Sequence, residues 1–169
     1  AHHQFINAAE GRGYDVVLFD SPLTPHYIAK LEQKLENVSF VRVDSDTIDN
    51  LIKKDVEVPS KLSDEEKETL KPIFEGVVDK KFTIQMESMS ETEAPVVITQ
   101  PEFMRRMQEQ QRMGGGGMMG AFPEMYNFIV NVNHPVVGAI LTKEGDAKGE
   151  SAKQLADLAL LSQGMLKGE

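Results

Sequence analysis

The 169-residue chain has no cysteine. That excludes disulfides, thiol catalysis and thiolate metal sites, and it agrees with a reducing compartment. No apolar run approaches the roughly 20 residues that span a bilayer, and the first residues have no signal-like apolar core, so a cytoplasmic location without a membrane partner is expected. Positive charge is also scarce. Lys plus Arg total 18 against 27 Asp plus Glu, giving a net charge of -9 and a pI near 5.0. A phosphate backbone would be repelled at long range, which argues against nucleic acid. What the chain does have is 40% hydrophobic residues, enough for one ordinary domain or two small ones with real cores.

Motifs that carry chemistry are missing in the same way. Gly11-Arg12-Gly13 precedes an apolar run instead of following it, and no third glycine opens a helix, so it reads as a helix stop and not as a dinucleotide fingerprint. Gly114 to Gly120 lacks the lysine followed by Ser or Thr of a phosphate-cradling loop. Asp44-Ser45-Asp46 begins like a calcium loop, but Ile48 and Asp49 stand where a ligand and the turn glycine belong. His2, His3, His26 and His134 fall in separate elements without ligand spacing, so no metal site is expected. No nucleophile and base pair stands out. The chain reads as a non-enzyme that binds no cofactor of its own.

The hydrophobic patterning predicts an α/β chain of the α+β kind. Phe5, Ile6 and Ala9 end a helix near Gly11 and Gly13. Val16 to Phe19 reads as a strand, Thr24-Pro25 caps an amphipathic helix carrying Tyr27, Ile28, Leu31 and Leu35, and Ser39 to Val43 reads as a second strand. Together these predict a small βαβ subdomain with a right-handed crossover. Character changes after Asp44, with one weak helical turn at Ile48, Leu51 and Ile52. The expected division is therefore 1–46, a linker at 47–62, and a second domain at 63–169. In that domain Ser63 and Glu66 form a capping box for a helix with Leu70, Ile73, Phe74, Val77 and Val78 on one face, which Pro72 should kink or restart. Phe82, Ile84 and Met86, then Val96 to Ile98, then Phe128 to Val130 predict a three-stranded sheet. His134-Pro135 opens an apolar turn, and Ser151 with Gln154 should cap a C-terminal helix.

Two stretches exceed what a core needs. Thr99 to Met125 holds six of the nine methionines beside four consecutive glycines. Thr99 and Glu102 have capping-box spacing, and the helix behind them should carry Phe103, Met104 and Met107 on one side. Gly114 to Gly117 cannot sustain that helix, each glycine costing roughly 1 kcal/mol against alanine, and Met118 and Met119 follow. Unbranched thioethers adapt to irregular partners, so these five side chains are expected to form an apolar contact surface. Filling a core beneath a loop is the plainer reading, but a well-packed core has no use for a glycine run. The last helix carries Leu155, Leu158, Leu160, Leu161, Met165 and Leu166 on more than one face and therefore calls for a second neighbour.

In order and spacing, GYDVVLFDSPLTPHYIAKLE, KLENVSFVRVDSDTID, DKKFTIQMESMSETEAPVVITQ, the MRRMQ helix and NFIVNVNHPVV together resemble the end of the ninety-kilodalton heat-shock chaperone family, its bacterial HtpG branch in particular. Asn131, Asn133 and His134 stand in that family's Asn-Pro-Asp-His-like turn, with Val132 in place of its proline. The final helix of the family is absent. The resemblance implies the close of a middle segment followed by a C-terminal client-contact and dimerisation domain. It implies a homodimeric parent that uses ATP and Mg upstream of residue 1, with no cofactor here. It places unfolded or partly folded client proteins on Phe103, Met104, Met107, Met118 and Met119. It also implies dimerisation through a helical seam for which Leu155, Leu158, Leu161 and Met165 are the candidates, weakened without the final helix. Two other classes compete with it. A methionine-lined signal-sequence groove would be basic for its RNA, unlike this chain. A flavodoxin-like nucleotide or phosphoacceptor module could use Val16 to Val43, with Asp20 at a strand end.

Overall fold

The computed structural model describes residues 2–52, 58–113 and 123–166. Helix α1 (His3–Glu10) stops as the glycines require: Gly13 takes φ +79°, and the Tyr14 amide donates to the Ala9 carbonyl at 3.1 Å. This is the left-handed helix ending that a Cβ would strain. Helix α2 (Thr24–Lys34) and the single turn α3 (Ile48–Leu51) follow. Helix α4 (Asp64–Glu75) begins on the expected capping box. Ser63 Oγ accepts from the Glu66 amide at 3.2 Å, and Glu66 Oε2 accepts from the Ser63 amide at 2.8 Å. Strands β1 (Phe82–Glu87) and β2 (Val96–Thr99) precede helix α5 (Glu102–Met113); strand β3 (Tyr126–Asn131) and helices α6 (Pro135–Leu141) and α7 (Ala147–Ser162) complete the order.

The sheet order is β1-β3-β2, with β1 parallel and β2 antiparallel to the central β3. Because strand side chains alternate, Phe128 and Val130 enter one core while Ile129 enters another. The larger core joins the sheet to α4, α6 and α7, with Phe128 against Phe74 at 5.9 Å and Phe82 at 6.1 Å between ring centroids. On the other face Phe5 of α1 packs with Met89, Val97 and Ile129. An α+β fold with a three-stranded sheet is thus what forms, and all three predicted sheet strands are present.

Several local expectations are corrected. Val16 to Phe19 and Ser39 to Val43 form no strands, so the βαβ subdomain reduces to its helix α2. A strand exists by pairing, and among the described residues nothing ladders to either run; Val17 and Leu18 are 72% and 78% exposed. The flavodoxin-like alternative loses its parallel strand pair with them. Thr99 caps no helix, because it ends β2, buried and paired with Asn127. Pro72 does not interrupt α4, which stops three residues later. The apolar turn after His134 is the helix α6, capped by His134 Nδ1 accepting from the Val136 amide at 3.2 Å. Helix α7 starts four residues before Ser151, whose hydroxyl donates inside the helix to the Ala147 carbonyl at 2.8 Å. It ends at a positive-φ glycine like α1: Gly164 lies at φ +66°, and the Met165 amide reaches the Leu160 carbonyl at 2.8 Å.

Candidate functional site

Helix α5 is attached differently from the other long helices around the sheet, α4 and α7, whose side chains enter the larger core. Among the described residues, none of its side chains belongs to either hydrophobic core. It is held instead by two consecutive arginines. The Arg105 guanidinium is buried and donates through Nη1 to Asp44 Oδ1 at 2.9 Å and through Nε to Gln100 Oε1 at 3.4 Å. Asp44 also faces Arg42 Nε at 3.3 Å and His2 Nδ1 at 3.0 Å. Burial works against ionising Asp44, but Arg105, Arg42 and His2 outweigh it and hold its pKa below the usual carboxylate range.

Arg106 makes a fork on Glu32 of α2, Nη1 to Oε2 at 2.8 Å and Nη2 to Oε1 at 3.0 Å. Its Nη2 also reaches the Phe40 carbonyl at 2.8 Å, while its Nε donates to Glu102 Oε1 at 2.9 Å. The Phe40 amide donates back to Glu32 Oε1 at 2.8 Å, closing a ring of three residues. These hydrogen bonds, first Arg106 and then Phe40, pull the Glu32 carboxyl down to about 2. Bidentate charge-assisted pairing of this kind fixes orientation as well as contact.

With about 100° of rotation per residue, Arg105 and Arg106 lie on one side of α5, and Phe103, Met104 and Met107 lie on roughly the opposite side. Phe103 is 70% exposed, while Met104 and Met107 are half-buried. Met118 and Met119 lie outside the described residues. Of the three described side chains expected on an exposed apolar side of α5, only Phe103 is exposed, while Met104 and Met107 are half-buried and lie outside both hydrophobic cores.

The candidate seam on α7 divides in two. Leu158 and Leu161 are 62% and 60% exposed, Leu155 lies in the larger core, and Met165 is half-buried against it. The half-way exposed leucines thus stand one turn apart on a helix whose other side is fully used.

Two further polar features stand out. His2, Asp44, Thr99, Arg105, Gln163 and Met165 are among the residues lining a cavity of about 190 Å³, where Thr99 Oγ1 and Gln163 Nε2 are buried without a protein partner. At the far end of β3, Asn131 and Asn133 act as clamps. Asn131 Nδ2 donates to the Ser90 carbonyl at 2.8 Å. Asn133 Nδ2 reaches the Pro59 and Met89 carbonyls, both at 3.0 Å, and its Oδ1 accepts from the Lys61 amide at 2.7 Å. Val132 donates its amide to the Glu87 carbonyl at 2.9 Å, a bond that a proline there could not make.

Sequence reasoning found the apolar stripe but missed the arginine anchors, since Arg105 to Asp44 and Arg106 to Glu32 join residues 61 and 74 positions apart. The only local signal was the four-residue spacing of Glu102 and Arg106. Among the described residues no group of acidic or histidine side chains could hold a metal ion, and no helix is long and apolar enough to cross a membrane.

No family model matches the chain. It is nevertheless 40% identical over 161 residues to the chaperone protein HtpG of Porphyromonas gingivalis (strain ATCC 33277), covering 91% of this chain and 24% of that protein. The HtpG proteins of Bacteroides fragilis (strain 638R) and Bacteroides thetaiotaomicron (strain ATCC 29148) are each 37% identical over 145 residues, covering 83% of this chain and 21% of theirs. The chain spans less than a quarter of the length of these relatives. With similarity running through both parts of the sequence and an α+β structure beneath it, the chain belongs to the HtpG family of heat-shock chaperones.

Proposed function

We propose that this segment gives an ATP-dependent, homodimeric HtpG chaperone its contact with unfolded or partly folded clients and part of its dimer interface. In this reading residues 63–169 form the working domain, residues 1–46 a preceding unit, and 47–62 the link. Client segments lie along Phe103, Met104 and Met107, continued by Met118 and Met119. The supporting observation is that α5 carries an apolar stripe and contributes nothing from it to a core. A methionine-rich surface repacks against many partners, as a chaperone with varied clients requires. Leu158 and Leu161 form the outward part of the dimer seam, and Leu155 and Met165 brace it from the core side. Catalysis, with its ATP and Mg, belongs to the rest of the parent protein.

The test is a full-length variant with Phe103, Met104 and Met107 all replaced by Ser. It should suppress the aggregation of a heat-unfolded client several-fold less well than the parent while losing no more than about 1 kcal/mol of stability, because none of the three side chains belongs to a hydrophobic core. A stability loss of several kcal/mol would assign the stripe to packing and overturn the reading.

A further inference from the structure

The geometry points to Arg105 and Arg106 as positioning residues that lock α5 onto the preceding segment with its Phe103, Met104 and Met107 side turned toward an apolar polypeptide; this rests on the client-contact reading above. Helix α5 lies between β2 and β3 in the chain, yet its anchors are outside that domain, on Glu32 of α2, the Phe40 carbonyl and Asp44. A helix docked through apolar side chains would bury its stripe. One docked through two guanidinium groups on roughly the opposite side leaves Phe103 exposed and Met104 and Met107 only half-buried, outside both cores.

The two anchors differ in kind. Arg105 is buried beside an equally buried Asp44, so losing either partner strands a charge. Arg106 is part-exposed, and its strength is in geometry: four donated hydrogen bonds fix the guanidinium plane against α2, the Phe40 backbone and its own helix. A lysine at 106 keeps the charge but cannot make the fork. Residues 32 to 44 therefore set where α5 points, and any displacement of that segment relative to the sheet carries α5 with it. No contact between the apolar stripe and the anchors is needed for this, because the helix itself is the rigid connection.

The experiment uses the full-length protein with Arg106→Gln, Glu32→Gln, Arg106→Lys and the charge exchange Glu32→Arg with Arg106→Glu. Amide hydrogen exchange is followed in α5 and in β3, and affinity is measured for a fluorescein-labelled synthetic peptide of alternating leucine and serine. The expected result is exchange in α5 at least ten-fold faster in both Gln variants and in Arg106→Lys, with β3 unchanged. Peptide affinity should fall at least five-fold, and the charge exchange should recover much of both. Unchanged α5 exchange in Arg106→Gln and Glu32→Gln would overturn the lock. Faster α5 exchange with unchanged affinity would overturn its role in presenting the stripe. Parent protein that binds no peptide while its α5 responds as expected would instead remove the client-contact reading and leave the anchoring itself standing.

Discussion

The sheet and helix α5 are secured by different forces. Toward β3 and the helices behind it, attachment is apolar: Phe74, Phe82 and Phe128 meet ring to ring, and Leu70, Val130, Val137 and Ile140 close around them with almost no exposure. Toward α5, attachment is polar and directional, made by two arginines on distant carboxylates. Apolar burial is the stronger and less selective force, and it consumes the surface it uses. Charge-assisted hydrogen bonds hold a helix at defined points and leave its apolar side free.

The largest effect should come from breaking the apolar flank. Phe128→Ala removes the ring shared by both aromatic contacts from a fully buried site and should cost about 3 to 5 kcal/mol, read by chemical denaturation. A cost below about 1 kcal/mol would mean that the core is not organised around β3.

A smaller effect sharpens the comparison through pH. Glu32 has a depressed pKa in the fold, so its contribution is fully present above the ordinary 4.5 and is lost as pH falls from there toward about 2. Glu87 behaves oppositely. Burial raises its pKa, and Asp46 and Asp49 add to this against the hydrogen bonds from Asn50 and Thr47. The folded protein therefore holds the Glu87 proton more tightly than the unfolded chain does. Stability from this group is greatest at or below 4.5, and it declines as pH rises through the shifted value. Glu32→Gln should lower stability at neutral pH and flatten its acid loss. Glu87→Gln should leave neutral-pH stability unchanged or raise it by under about 1 kcal/mol, while removing the decline just above 4.5. Denaturation midpoints across pH 2.5 to 7 that moved in the same direction for both variants would contradict these assignments.

How far the sequence was legible follows the same contrast. The apolar flank declared itself, because alternation in Phe82 to Met86 and the runs Val96 to Ile98 and Phe128 to Val130 each need only local reading. The Ser63 capping box was equally local. The same local rule misread Thr99, where a threonine three residues before a glutamate was already committed to β2. It also misread Val16 to Phe19 and Ser39 to Val43, whose β-branched and apolar residues favour strands that require a partner to exist. The polar flank could not be read at all beyond the stripe itself. A guanidinium 61 or 74 residues from its carboxylate leaves no periodicity, and in a chain with 27 acidic residues nothing singles out Glu32 or Asp44. The exposed leucines of α7 were visible as excess, but which of them turned inward depended on where the core lay.

The central claim is that the outward side of α5 is where client polypeptide lies. Benzoylphenylalanine placed at Phe103, at the exposed Thr83 of β1 or at Leu158 of α7, one at a time in the full-length protein, tests it by photocrosslinking to an unfolded labelled polypeptide. The account predicts strong capture of the polypeptide from position 103, little from position 83, and capture of a second copy of the protein from position 158. Equal capture of polypeptide from positions 103 and 83, or none from position 103, would contradict it.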